Sequence, residues 1–431
     1  MAGTAAAQWL VGHGYRVTII EQNDRLGGRV RSELVQGAAV EMGAGFMTSA
    51  YTNLRAFMAT QGLGGRLYAQ ASKVGIFHND KVRMATARSL MLGEPVPRAA
   101  LLRALPLLAK TLAGWPQLDM HNFWKAARYD TRSVAAMYPH GNGKKFLELV
   151  LQPILNGYFY WNPEHTSEAM LRIVVKAALG HRTYKMQGGL QRIPEAAAKG
   201  STVLLNHAVQ EVRQGNNGLY HIKALHGGQL REFTAAGVVC ATTASKVKEI
   251  FPQLSATQQA FFAAVQYSSS ALVARTYKAA ETRGNMSIAF PRQAGTPLSS
   301  ITVADEPSGA SKATHATLKI YGSGLAGPAL VRQPDKKLAQ TLAAAMQPVA
   351  KTVLVGSPTP LATHILRWPE ALPLFDVGHF ARLAAFQKGQ VEDAAQAIAF
   401  AGDYLGGPFM EGAFTSGQAA AQRLHHRLHN L

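Results

Sequence analysis

The chain has 431 residues, 47% hydrophobic and only 16% charged, with 44 Lys and Arg against 25 Asp and Glu for a net charge of +19. That length suits two or three domains with sizeable cores, and the single cysteine, Cys240, excludes an internal disulfide and a cysteine-built metal site and fits a reducing cytoplasm. No apolar run approaches the ~18 residues of a membrane span, the opening residues do not read as a signal peptide, and the basic surplus favours anionic ligands without a nucleic-acid-binding motif beside it.

Ala2–Val11 reads as an Ala-rich helix with Gly3 at its start, closed by Gly12 and Gly14. The β-branched run Arg16–Glu21 reads as a buried strand. A dinucleotide-binding fingerprint runs strand, G-x-G-x-x-G, helix, strand, then an acid about 20 positions on. Gly3 fits the third glycine, and Glu21 fits the acid that takes a ribose hydroxyl. The first strand and first two glycines would precede Met1. In "DRLGGRV" (Asp24–Val30), Gly27 and Gly28 let a ligand approach the backbone and Arg29 can neutralise a phosphate. "EMGAGFM" (Glu41–Met47) adds a second close approach at Gly43, Ala44 and Gly45.

Residues 76–184 read as mainly helical, broken by prolines from Pro95 to Pro163. Within them, Arg98–Trp115 puts Leu101, Leu105, Leu108 and Leu112 near one face, flanked by Arg98, Arg103 and Lys110, with a kink expected at Pro106. Such a segment is either a core-facing helix or a basic amphipathic surface that rests on acidic lipid. Strand patterns return over 201–214, 218–225 and 235–243, and a mixed region spans 246–355. The end reads as strand, loop, helix. Strands scattered from beginning to end predict an α/β fold. A discontinuous Rossmann-like domain would take 1–75, 185–245 and 356–431. An inserted mixed α+β substrate domain would take 76–184 and 246–355.

The pieces also have a familiar order: the half-fingerprint to Glu21, "RLGGR", "MQGGLQRIPEAAA" (Met186–Ala198), "STVLLNHAVQEV" (Ser201–Val212), "GVVCATTAS" (Gly237–Ser245), "RWPEALPLFDVGH" (Arg367–His379) and "FAGDYLGGPFMEGAFTSGQAAA" (Phe400–Ala421). Together they resemble the flavin amine oxidase superfamily, which includes protoporphyrinogen oxidases and phytoene desaturases, over nearly the whole chain. The resemblance implies FAD as cofactor and oxidation of a small-molecule substrate, an amine or a protoporphyrinogen-like compound, apolar or carboxylated. It also implies that Val209 meets the adenine side of FAD through its backbone and that Asp403, after Gly402, holds the ribityl or pyrophosphate part. Gly412 and Ala413 would donate N–H groups to the flavin N1–C2=O edge from a helix N-terminus, where reduction leaves negative charge.

No catalytic proton-transfer residue stands out. Members of the superfamily often keep a lysine near the reactive flavin nitrogen, but no motif places it here. Lys278 and Lys319 lie in strand regions, where a solvated charge is the plainer reading. Trp368 and Phe375 either wall the substrate pocket or pack in the core. His379 is a core or surface histidine unless it acts in catalysis. His425 and His429, four apart on the last helix, could share a metal or sit on a solvated face, and no metal is expected. Cys240 should be buried and inert. Two other readings stay open: a catalytically silent relative that no longer holds FAD, motivated by the fingerprint half that would precede Met1, and a carotenoid-type desaturase at an anionic membrane surface.

Overall fold

The computed structural model describes residues 1–69, 72–306, 313–392 and 396–430. Helix α1 (Ala2–Gly12) buries Ala2, Thr4, Ala5, Ala6, Ala7 and Leu10. Small side chains here let another helix come close. A turn at Gly14, with φ +84°, leads into strand β1 (Thr18–Ile20). Hairpin β2 (Ser32–Val35) and β3 (Ala38–Glu41) follows, then helix α2 (Thr52–Thr60). Strands β4 (Lys73–His78) and β5 (Lys81–Met84) form a second hairpin. Its corner, Asn79–Asp80, has both φ values positive, at 49° and 57°, as a primed two-residue turn requires.

The helical stretch contains α3 (Arg98–Leu101), α4 (Ala104–Ala113), α5 (Gln152–Phe159) and α6 (Glu168–Ala178). Strands resume with β6 (Thr183–Met186), β7 (Thr202–Leu204), β8 (Ala208–Gln214), β9 (Tyr220–His226), β10 (Gln229–Ala235) and β11 (Val238–Cys240). Then come β12 (Ser270–Lys278), β13 (Met286–Ala289), β14 (Leu298–Glu306), β15 (His315–Gly322) and helix α7 (Asp335–Met346). Strands β16 (Ala362–Trp368) and β17 (Ile398–Phe400) and helix α8 (Met410–Asn430) complete the set.

Two parallel pairs build the cofactor layer: β1 with β7, and β11 with β17. Among the described residues, β1 and β11 pair on one side only. Helix α1 packs against both strands and against α8. The α1–α8 approach is close: a Cβ on Gly417 would sit 2.1 Å from the Ala2 carbonyl oxygen. Strands β8, β9 and β10 form an antiparallel meander beside this layer. A second unit is a seven-stranded sheet, ordered β16-β12-β15-β14-β13-β4-β5. One face buries Ile288, Ile301, Leu318 and Ile320 against Leu338, Leu342 and Met346 of α7.

Three sequence expectations are revised. The 76–184 segment opens with the β4–β5 hairpin, whose alternating Val74, Ile76, Val82 and Met84 carry the strand pattern. The seven-stranded sheet also draws β16 and the start of β4 from segments expected in the cofactor domain. The helix break near Pro106 falls at Leu102–Arg103 instead, because Pro106 sits in the first turn of α4, where a missing N–H costs no hydrogen bond. On α4 the buried residues are Leu107 and Thr111, while Leu105 and Leu112 are 59% and 61% exposed. The expected leucine stripe is therefore not a core face.

Candidate active site

A single cavity of about 2230 Å³ reaches from the cofactor layer to the open face of the seven-stranded sheet. That is more than twice the upper end of the roughly 300–1,000 Å³ usual for one small-molecule site, so it has room for two ligands side by side. At one end lie the first turn of α1 and Glu21. Helix N-termini leave N–H groups unpaired and carry partial positive charge, and α1 has no acidic residue in its first turn. Glu21 follows β1 directly, and its Oε1 accepts from the Asn23 backbone N–H at 2.9 Å. That contact orients the carboxylate toward the cavity rim.

The glycines of the next loops fall into two kinds. Gly28 (φ +59°) and Gly45 have no atom near where a Cβ would stand, and both line the cavity, so a ligand can reach their backbone. Gly27 and Gly43 are instead packing glycines. A Cβ on Gly43 would lie 1.9 Å from the Arg29 carbonyl oxygen, and one on Gly27 would lie 2.7 Å from that of Val30. Gly43 thereby lets the 43–45 segment close on the 27–30 loop, and Gly27 lets that loop turn tightly against Pro194. Ala44 lines the same wall.

Arg29 does not stand free for a phosphate. It donates to Asp403 Oδ1 at 2.8 Å and to the Ala371 carbonyl at 2.9 Å. Burial opposes its charge most strongly, but Asp403, Tyr267 and Glu370 together outweigh it and raise the guanidinium above its ordinary value. The two residues predicted to hold separate parts of the cofactor are thus one ion pair on the cavity wall. Gly402 precedes Asp403, and its N–H donates to Ser416 Oγ of α8 at 3.0 Å, locking this turn onto the last helix. Val209 lies on the cavity at a bulge in β8, the edge strand of the meander, opposite Ala224 of β9.

The helix expected near Gly412 begins at Met410. Gly412 does not line the cavity: a Cβ there would meet the carbonyl oxygens of Gly406 and Gly407 at 2.2 and 2.5 Å. Its role is to let α8 pack on the Asp403–Gly406 turn, while Met410 and Ala413 face the cavity. Glu411, which sequence reasoning passed over, is 0% exposed and turned away from the cavity. It accepts from the N–H groups of Asn53 and Leu54 at 2.9 Å each and from His121.

Trp368 lines the cavity and donates its indole N–H to the Met42 carbonyl at 3.2 Å. Phe375 does not: it is fully buried in an aromatic core with Phe123, Trp161 and Phe380. His379 belongs to the same core. Burial first, and Arg382 second, depress it to about 4, and its Nε2–H donates to the Tyr404 carbonyl at 3.2 Å. A neutral core histidine has no catalytic reach. His425 and His429 both share the Tyr15 hydroxyl, at 2.8 and 3.3 Å. Cys240 is buried, and burial pushes its thiol up. Lys278 is exposed at the end of β12, whereas Lys319 is 4% exposed and faces the cavity from β15.

The sheet end of the cavity carries groups that the sequence did not single out. Lys185, which is half-buried, pairs with buried Glu306 at 3.3 Å. Burial pushes Glu41 up to about 7, against hydrogen bonds from Ser32 and Leu190 at 2.7 Å each. Tyr321 stacks on Tyr160 with ring centroids 6.3 Å apart. The one available signal was strand alternation, which puts Lys319 and Tyr321 on the same face.

A discontinuous α/β cofactor layer, a second sheet and one cavity joining them define a flavoprotein oxidoreductase architecture. The whole chain from residue 1 to 425 matches the family of flavin-containing amine oxidoreductases, and the chain belongs to it. The donor set fits the FAD that serves this family: an anion-accepting helix start, an acid at a strand end, and approachable glycine backbone at Gly28 and Gly45. Among solved structures, cyclohexylamine oxidase from Brevibacterium oxydans superposes with a TM-score of 0.75 at 18% identity, covering 99% of this chain and 97% of that one. Putrescine oxidase bound to putrescine gives 0.76 at 18% identity, with the same coverage. At such identities these likenesses show a shared fold. Protein FLOWERING LOCUS D of Arabidopsis thaliana is 26% identical over 254 residues, 54% of this chain but 29% of the relative, so the match spans under a third of that protein's length.

Proposed function

We propose that the chain oxidises a sizeable, partly apolar organic substrate, an amine or a protoporphyrinogen-like molecule, at FAD held in this cavity. The observation that carries the reading is the continuity of the cavity from the α1 end to the sheet face, which lets a cofactor and a substrate share one space. FAD, when bound, supplies the acceptor for a hydride or electron pair. The chain's own residues bind and orient. The α1 start and Gly28 would receive the pyrophosphate, Glu21 a ribose hydroxyl, and the Val209 backbone the adenine side. The Arg29–Asp403 pair fixes the wall beside Ala371. Trp368, Tyr160 and Tyr321 narrow the substrate end and exclude water. The naming of structural neighbours as amine oxidases supports the amine reading.

The test is reconstitution with FAD followed by anaerobic titration with aryl-alkyl amines and with a reduced tetrapyrrole, watching the visible flavin band. Bleaching by either class is the expected result. A protein that holds FAD stoichiometrically but is bleached by neither, while dithionite reduces it normally, would refute the proposal.

The desaturase reading keeps one favourable observation. Leu102, Leu105 and Leu112 are each about three-fifths exposed beside Arg103 and Lys110, the composition of a surface that rests on anionic lipid.

A further inference from the structure

Lys319 stands out among the charged groups of the cavity. It projects from β15 on the face that lines the cavity, opposite Thr302 of β14, and is 4% exposed. Among the described residues it has no hydrogen-bond or ion-pair partner. Two charged groups act with it across the sheet, Lys185 and Glu41. Lys185, a like charge, is already paired with Glu306. Glu41 accepts from Ser32 and Leu190, and the Lys319 charge acts with those hydrogen bonds to hold its carboxyl down against burial. The acids that line the cavity are Glu21, Glu370 and Asp403. Glu21 is at the β1 end, Asp403 is bound to Arg29, and Glu370 lies in the loop after β16 that also acts on Arg29. None is on the sheet face.

A cation on a cavity wall that makes no hydrogen bond or ion pair of its own calls for an explanation. It is understandable where a ligand supplies the missing partner, as at specific anion sites. Lys319 also stands next to Tyr321 on the same strand face, and Tyr321 stacks with Tyr160. That places a flat apolar platform beside the charge.

We infer that the substrate carries a carboxylate, received by Lys319, with an aromatic or otherwise flat body lying along Tyr321 and Tyr160. The site would disfavour a substrate that brings a second ammonium to this end, as a diamine does, because two like charges would meet in a low-dielectric space. This inference rests on the sheet end of the cavity being the substrate site of the proposed oxidase.

The test uses the FAD-loaded full chain and three probes of one shape: phenylacetate, phenylacetamide and phenethylamine. Binding is read by calorimetry and by perturbation of the flavin spectrum. Phenylacetate should bind more tightly than phenylacetamide. Lys319→Met should weaken phenylacetate by about ten- to a hundredfold, the scale of one charge-assisted contact. It should leave phenylacetamide and FAD affinity within about twofold of wild type on the same scale. Lys319→Arg, which keeps the charge, should restore most of the binding. Equal phenylacetate affinity in wild type and Lys319→Met, or no binding to wild type, overturns the inference. The two readings fail separately. Flavin bleached by amines with phenylacetate indifferent to Lys319 keeps the oxidase and removes the carboxylate site. Lys319-dependent phenylacetate binding with flavin that no substrate bleaches keeps the site and removes the oxidase.

Discussion

Replacing Glu411 should loosen the joint that seats α8 against α2, and the size of the effect follows from its contacts. Leu54 is 0% exposed, and its N–H, an orphan donor of the first turn of α2, goes to Glu411 Oε2 at 2.9 Å. The Asn53 N–H goes to Oε1, also at 2.9 Å, but Asn53 is exposed and can rehydrate. Glu411→Ala therefore strands one buried donor, at about 1–3 kcal/mol, and loses a capping contact of about 1 kcal/mol. The expected destabilisation is about 2–4 kcal/mol. Glu411→Gln keeps one of the two acceptor oxygens but turns an amide NH2 toward the donor on the other side, so its cost lies between the roughly 1 kcal/mol of a charge at a helix start and the cost of Glu411→Ala.

The pH dependence is equally specific. Burial would raise the Glu411 carboxyl, but hydrogen bonds from His121, Leu54 and Asn53 hold it below its ordinary value of 4.5. Its contribution is thus present above that value and is lost as pH falls through the lower, folded one. The hydrogen bond to Glu411 raises His121 above 6.5 against its own burial. That contribution is full below 6.5 and fades as pH rises through the folded value. Both act together between about 4.5 and 6.5. Urea melts followed by circular dichroism, at several pH values, measure the effect, with flavin release recorded alongside because Met410 and Ala413 border the cavity. A Glu411→Ala shift under about 1 kcal/mol, or one with no pH dependence, would refute the reasoning.

Arg29→Met should leave Asp403 buried without its partner, destabilise by about 3 kcal/mol and lower flavin occupancy; unchanged thermal melting and absorbance ratio would mean the pair is incidental. Gly412→Ala should disrupt α8 packing on Gly406 and Gly407, so melting temperature and flavin retention fall together; loss of flavin with an unchanged melt would point to direct cofactor contact instead. Replacing Arg98, Arg103 and Lys110 by Gln should reduce sedimentation with anionic liposomes at low salt, since exposed charges act through a screened field. If wild type does not sediment, or if the triple variant sediments equally, the lipid reading of α3 and α4 is removed.

What the sequence revealed and what it hid divide along contact range. The Ala-rich α1, the strand at Thr18–Ile20 and the Gly27–Gly28 turn are written in local chemistry, helix propensity, β-branching and turn glycines, and all three form, but the strand is exposed at Thr18 and half-buried at Ile19 and Ile20 rather than buried, and Gly27 serves packing rather than ligand approach. The ion pair between Arg29 and Asp403 joins residues 374 apart, and no local pattern announces it. Gly412 looked like a cofactor glycine because its reason, two carbonyls of a neighbouring turn, is tertiary. Phe375 and His379 could not be separated from pocket residues by composition, since Phe123 and Trp161 arrive from the inserted helices to enclose them. Lys319 read as a solvated charge because strand alternation gives a face without saying whether that face meets water or an enclosed chamber.

The one-sided strands β1 and β11 have a consequence for the molecule in company. Among the described residues each has one edge that pairs with no strand, and Ile19, Val239 and Leu424 line the cavity. Unpaired strand edges accept strands from elsewhere, including from other copies. The net charge of +19 opposes that encounter by mutual repulsion. Its reach shrinks to about 8 Å at physiological ionic strength. Added salt should therefore promote self-association here, whereas it weakens contacts made between opposite charges.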